Sequence, residues 1–462
     1  MKKRLAFCIL ACINFGVYGQ KQNWIWYFGD KAGLDFSTGV PVVLTNGVMT
    51  SAQGCAAISD SLGNLQFYTD GAKVWNKNHI QMSNGFGLQG NQSSTQSALI
   101  VPKPSSTNIY YIFTVPAQNA LIQFSYSEVD ITLNGGLGDV TAKNINIFAP
   151  VLDKLTAVLH ANGTDFWVLC HEQSNSAFRA YLVTSNGVSA TPVTSNVGTA
   201  QGSAPSYGIG YLKASPNGAK LCMAVKNANY SELFDFNNAT GAISNPLSLS
   251  GAIDPYGVEF SPDNSKLYIA SSNVNGQVYQ YNLAAGSNTA ISGSGLLLSP
   301  PTPNHWYGAL QLATDGKIYV SQLTKKYLGV ISNPNTAGTG CGFQDSAIYL
   351  GTGQCQNGLP NFIKKYSPGT ITTTGLHASA LNAGTGFRLF PNPNSGVFKI
   401  QFDYPATNAE LIVTNSLGQN VCEKQIVPGL NEFILSELST GLYSYVLVRD
   451  KERIITGKLL IE

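Results

Sequence analysis

The chain is poor in charge. Lysine, arginine, aspartate and glutamate make up 11% of its 462 residues, against roughly 25% in soluble globular proteins. Sparse cations argue against nucleic acid as a partner, because phosphate binding needs them clustered. Histidine is scarce too: His79, His160, His171, His305 and His377 fall in no recognisable motif. No C-x-x-C or His/Cys cluster has zinc spacing. G-x-S-x-G, H-E-x-x-H and P-loop patterns are also missing. The sequence therefore offers no catalytic residue, no metal site and no cofactor. No apolar run reaches the roughly 20 residues of a membrane helix, so no transmembrane segment is expected.

What is present is glycine (47), tyrosine (22) and phenylalanine (21). Aromatic stretches broken by glycine turns, with Asn, Ser and Thr at polar positions, describe an all-β, extracytoplasmic chain. Residues 1–19 read as a signal peptide: Lys2, Lys3 and Arg4, then Leu5–Phe15, then Val17-Tyr18-Gly19 as the cleavage site. Ile9-Leu10-Ala11-Cys12 is the alternative, a lipoprotein box. Cleavage after Gly19 removes three of 27 basic residues, leaving 24 against 25 acidic and a formal charge of −1. Export permits disulfides, and Cys341 with Cys355, which bracket a short Gly-rich stretch, are the expected pair.

One hairpin motif recurs. Tyr256 opens Y-G-V-E-F-S-P-D-N-S-K-L-Y-I-A, and Tyr307 opens Y-G-A-L-Q-L-A-T-D-G-K-I-Y-V-S. Tyr207 begins a third copy with two extra residues before its turn. Pro262-Asp263, Pro216-Asn217-Gly218 and Asp315-Gly316 supply the reversals. Degenerate copies occupy Leu155–Cys170, Ser97–Phe113 and Cys55–Tyr68. The spacing of roughly 40 to 60 residues is that of four-stranded propeller blades.

A last copy is split. Gly358–Ile363 resembles an inner strand with no successor, while Trp24–Gly29 and Leu34–Ser37 resemble outer strands with no predecessor. Pairing them would close a ring and remove exposed sheet edges. The expectation is a seven-bladed β-propeller over residues 20–366, with a β-sandwich as the alternative. Trp26–Phe36, Phe67–His79, Ser93–Pro104, Tyr256–Asp263 and Asn357–Ile363 resemble a family of secreted Bacteroidetes β-propellers related to WD- and YVTN-type repeats.

Residues 367–386 lack charge and large apolar clusters and read as a flexible linker. Residues 387–462 then alternate short strands with turns, as a small immunoglobulin-like sandwich would. Three blocks, P-N-P-N-S-G (Pro391–Gly396), V-T-N-S-L-G-Q-N-V (Val413–Val421) and G-L-Y-S-Y-V-L-V with G-K-L-L-I-E (Gly441 to Glu462), resemble the type A C-terminal sorting domain of type IX secretion. That resemblance implies a sorting signal including Pro391, Asn392, Pro393, Gly396, Gly418, Gly441, Tyr443 and Lys458. It also implies the secretion machinery and its sortase as partners, and a cell-surface or extracellular location.

The candidate ligand site follows from topology. Tyr207, Tyr256, His305, Trp306 and Tyr307 lie where a loop enters an inner strand, points that cluster at one mouth of a propeller channel. Aromatic rings there suit stacking on sugars or clasping a peptide. Packing of blade on blade would explain Tyr-Gly equally well. The expected function is a non-catalytic binding module for an extracellular glycan or protein. The alternatives are a lactonase- or lyase-like propeller and a structural surface-layer component. Cys170-His171-Glu172 reads as structural.

Overall fold

Alternating apolar residues on both sides of each turn fold the repeated hairpins as antiparallel pairs, and each pair recruits further strands. The computed structural model describes residues 21–117, 123–202, 208–299, 303–363, 387–390, 394–402, 409–415, 419–435, 437–449 and 452–461. The signal-peptide residues, the linker, Tyr207, Pro391, Asn392, Pro393 and Gly418 lie outside them. The chain divides into two units, 1–366 and 367–462.

In the first unit, six sheets each begin with the repeated hairpin. Their inner strands are Ala56–Ser59, Ala98–Pro102, Val151–Leu159, Leu212–Ala214, Pro255–Phe260 and Tyr307–Leu312. Within each sheet successive strands pair, except that in the third both Gly187–Val188 and Val193–Asn196 pair with Ala177–Thr184; the sheets carry four or five strands. The first two sheets are also joined at their outer strands through a parallel pairing of Ser83 with Asp139.

Burial decides between sandwich and propeller. Pro255–Phe260 and Lys266–Ser271 are buried at every position, so both faces of that sheet are covered. A two-layer sandwich covers only one. Separate apolar clusters fill successive seams. Ile58, Phe67 and Ile112 lie between the first and second sheets, and Phe113, Leu155 and Val168 between the second and third. Leu169, Leu212 and Leu221 follow, and Tyr268, Leu310 and Val320 fill the seam between the fifth and sixth. The body is a β-propeller.

The ends of the body complete the ring. Ile25–Phe28, Ala32–Asp35 and Val42–Leu44 form a three-stranded sheet. Asp30 and Gln354 exchange backbone hydrogen bonds, each 2.9 Å. Further along, Pro360 forms a parallel bridge with Cys55, and the Asn361 N–H donates to the Cys55 carbonyl at 2.8 Å. Proline cannot donate to a ladder, and the segment closes by isolated bridges rather than as a continuous strand. Packing supplies the rest: Trp26, fully buried, lies 5.7 Å from the Phe362 ring and 5.6 Å from Tyr319. A count of seven blades rests on reading this composite as one.

The tail is a two-sheet antiparallel sandwich. Phe387–Phe390, Val397–Phe402 and Gly429–Ile434 face Asn420–Ile426, Ala409–Thr414, Gly441–Arg449 and Glu452–Ile461. Stacked Phe398 and Phe433, 5.0 Å apart, lie in its core.

The expected disulfide is absent: Cys341 and Cys355 are free and buried. Between them runs the seven-residue strand Phe343–Tyr349. At about 3.3 Å per residue it carries the chain roughly 20 Å, whereas a disulfide needs Cα atoms within about 7 Å. Cys341 packs with Tyr268 and Ile331, and Cys355 with the closing core.

Two outcomes follow. Trp26→Ala should destabilise the body by about 3–5 kcal/mol in denaturant unfolding; a change under about 1 kcal/mol would mean that the ends do not hold the ring. Thiol titration of the denatured body should find Cys55, Cys170, Cys222, Cys341 and Cys355 all free. Reductant should leave its unfolding midpoint unmoved.

Candidate functional site

Contacts between sheets that are not neighbours locate the axis, because only the centre of the ring lets them meet. Gln96, preceding the second inner strand, is such a residue. Its Nε2 donates to the carbonyls of Leu155 (2.8 Å) and Leu212 (3.1 Å) and approaches Asn361 Oδ1 at 3.3 Å. Its Oε1 accepts from the N–H groups of Leu155 (3.2 Å) and Leu212 (2.7 Å). One amide thus ties the second sheet to the third, the fourth and the closing segment. Lys213, in the fourth sheet, donates to Gln311 in the sixth at 2.5 Å and lies 3.9 Å from Glu259 in the fifth. Glu259 in turn accepts from the N–H groups of Phe260 and Leu312.

At the end of the ring where the inner strands begin, Lys154 is fully buried. Its ammonium donates to the carbonyls of Gly208, Gly210 and Ala224 at 2.8, 2.7 and 2.7 Å. Three acceptors for three N–H groups require the charged form. Burial pulls its pKa down to about 7, while neighbouring Asp153 holds the proton on. Burial also raises the Asp153 carboxyl, against the pull of Lys154. Asp153 Oδ2 accepts from the Thr95 N–H at 2.9 Å. Its Oδ1 has no partner among the described residues.

The expected site residues do not form one ring. Tyr256 is buried and crosses the axis, its hydroxyl donating to Gln53 Oε1 at 2.8 Å. Tyr307, equally buried, turns away from it and donates to Asp345 Oδ1, on the outer strand of its own sheet, at 2.8 Å. The His305 ring lies 4.7 Å from that of Tyr307, inclined at 45°, and places Nε2 3.3 Å from the same carboxylate oxygen. Burial opposes ionisation of Asp345, but His305 and Tyr307 outweigh it and hold the carboxyl below its usual range. Trp306 alone of the described members is partly exposed rather than buried.

Trp306 belongs to a rim. The His305 N–H donates to the Val274 carbonyl at 3.4 Å, Leu323 N–H to the Trp306 carbonyl at 3.0 Å, and Ser272 N–H to the Asp254 carbonyl at 3.0 Å. These bonds set the loops bearing exposed Ile253 (51%) and Val274 (50%) at the same end of the ring as Trp306. Nothing in Ile253 or Val274 marked them in the sequence. Asp153-Lys154 did carry a signal, a charged pair inside the apolar run V-L-D-K-L.

Cys170, His171 and Glu172 do not act together. The Cys170 thiol is buried, and Glu172 pairs with Arg179. His171 donates Nδ1–H to the Glu172 carbonyl at 2.6 Å and packs 4.4 Å from Phe178. No group of three or more His, Cys, Asp or Glu among the described residues could hold a metal.

In the tail, Gly396 donates its N–H to Asn394 Oδ1 at 2.8 Å with φ +87°, where a side chain would be strained. Tyr443 donates to the Ser439 carbonyl at 2.9 Å. Gly441 pairs with Ile461, and Lys458 pairs with Ser444. Asn394 bridges to Ile461, so the first block is laced to the final strand. Residues 388–462 match the family described as the secretion system C-terminal sorting domain. The tail is a type IX sorting domain. It addresses the protein across the outer membrane to the cell surface and engages the secretion machinery.

Solved structures with a similar backbone include Pseudomonas aeruginosa periplasmic gluconolactonase, 15% identical over 80% of this chain and 95% of that one, TM-score 0.38. PorZ, an essential surface component of the type-IX secretion system of Porphyromonas gingivalis, is 9% identical over 96% of this chain and 59% of its own, TM-score 0.38. The β-propeller domain of Myceliophteria thermophila Cps50 is 11% identical over 65% and 94%, TM-score 0.39. No curated protein matches the chain.

Buried His171 provides a pH test. Burial lowers its pKa to about 4, against about 6.5 in an unfolded chain. Between these values the unfolded chain takes up a proton that the fold refuses, so stability falls as pH drops through that window. The loss from this group is about 3 kcal/mol at most. Denaturant midpoints from pH 7 to 4.5 should fall less steeply in His171→Leu than in wild type. Parallel slopes would remove His171 from the acid limb.

Proposed function

We propose that the exported body is a non-catalytic binding module for a glycan or protein, and that its ligand meets the rim where the inner strands begin. The observation that supports this is the rim itself: Ile253 and Val274 stand half-exposed in loops at the same end of the ring as Trp306. Exposed apolar side chains gathered at one end of a ring favour a contact role. Buried Tyr256 and Tyr307 anchor the entries of their strands, and His305 fixes the strand that presents Trp306.

The axis supports binding over hydrolysis. Lys154 and Lys213 are engaged by carbonyls and side chains, and Asp153 is only 3% exposed. An acid or base must reach substrate within hydrogen-bond distance. On this reading the sorting tail is cleaved by the system's sortase in the linker, and the body stays on the surface or is released.

A glycan array probed with wild type and Trp306→Ala tests the rim. A reproducible wild-type hit should weaken about tenfold or more in the variant, as loss of an aromatic anchor does. Unchanged binding would remove Trp306 from the contact.

A further inference from the structure

Next to Trp306 the rim changes character. The Leu323 N–H donates to the Trp306 carbonyl, and the chain then turns through Thr324, Lys325 and Lys326 into the strand Tyr327–Ile331. Thr324 holds φ +61°, rare for a β-branched residue. Its N–H donates to the Cys355 carbonyl at 3.1 Å, and its own carbonyl accepts from Gln354 Nε2 at 2.8 Å. The turn is thus fastened to the closing segment, and Thr324, Lys325, Lys326 and Tyr327 are all exposed.

Tyr327 pairs across the strands with Tyr349. Their rings lie 5.1 Å apart at an interplanar angle of 44°, with the residues 41% and 53% exposed. Two inclined rings with open faces, beside two adjacent ammonium groups, are conspicuous in a chain this short of charge. Neither lysine has a carboxylate within ion-pair distance among the described residues; Asp345, whose carboxyl Lys325 helps to keep ionised, is held by Tyr307 and His305.

We propose that Lys325, Lys326, Tyr327 and Tyr349 bind an acidic saccharide, the tyrosines stacking on sugar rings and the lysines pairing with carboxylate or sulfate groups. This rests on the rim reading above and names its ligand class. The flat C–H face of a pyranose matches an aromatic face, and its hydroxyl edge matches the phenol and lysine groups beside it. Charge complementarity selects the acid. An acidic peptide would supply charge without a flat ring face for the tyrosines.

The test uses the exported body with four polymers: polygalacturonate, its methyl-esterified form, dextran sulfate and poly-glutamate. Wild type should bind polygalacturonate or dextran sulfate, bind the ester and poly-glutamate at least tenfold more weakly, and lose affinity as salt rises. Lys325→Ala/Lys326→Ala should lower acidic-polymer affinity about tenfold, and Tyr349→Ala should do so without altering the salt slope. Unfolding midpoints of both variants should stay at the wild-type value. Equal binding of poly-glutamate, or full affinity in either variant, overturns the proposal. If the ester binds as tightly as the acid and Trp306→Ala abolishes both, the rim reading survives and the acidic class falls. If no saccharide polymer binds, the acidic-saccharide site is lost, and a protein ligand is left for the rim.

Discussion

Everything in the body depends on the ends of the ring meeting. Residues 354–363 contribute no ladder of their own, yet they reach the first sheet through Cys55, the sixth through the Asn357 carbonyl at 2.7 Å from the Ala309 N–H, and the N-terminal sheet through Asp30. Each bond is individually worth about 1 kcal/mol. Together with the Trp26, Phe36, Tyr319 and Phe362 rings they replace an edge that would otherwise be open to pairing with other chains. Asn361 extends the same closure inward, where its Nδ2 donates to the Ala98 carbonyl at 3.0 Å.

Scarcity of charge and the polar axis are two sides of one arrangement. Sheets meeting at a centre leave peptide groups facing one another with little room for water, and each unpaired group costs about 1–3 kcal/mol. Gln96 answers four of them with one amide, and Lys154 answers three with one ammonium. A buried lysine is normally expensive. Here the carbonyls of Gly208, Gly210 and Ala224, with Asp153 alongside, stand in for its water shell. Gly208 is needed because a Cβ there would lie 2.1 Å from Asp153 Oδ1.

The hairpins and the sandwich tail were legible because they depend on neighbours in sequence: alternation, a turn residue, then alternation again. The split copy was legible only as closure, since Gly358–Ile363 forms no strand beside Ile25–Phe28 and bridges instead to Cys55 of the first sheet. The axis was not, since Gln96 finds partners 116 and 265 positions away. Tyr256 and Tyr307 show the limit of repeat logic. Both precede glycine at a strand entry, but local register shifts differ: Pro255 to Gly257 in one, Tyr307 to Leu310 in the other. A shift by one residue exchanges the faces of a strand, and identical letters point to opposite sides. The Cys341–Cys355 expectation failed through the reverse error, counting residues between two cysteines without asking whether they run straight.

Closure also explains why a rim can carry specificity in a fold built from near-identical units. The turn bearing Lys325 and Lys326 is pinned at Thr324 to Cys355 and Gln354, and Gln354 is the residue that locks onto Asp30. A ring left open would free that turn at the same moment that it exposed a sheet edge. Binding groups on a fixed element avoid the cost of ordering, about 0.5–1.5 kcal/mol for each mobile side chain. The seam is thus the place where stability and presentation coincide. The other sheets meet their neighbours through repeated packing, whereas the composite one brings unrelated residues together and is free to differ from the rest.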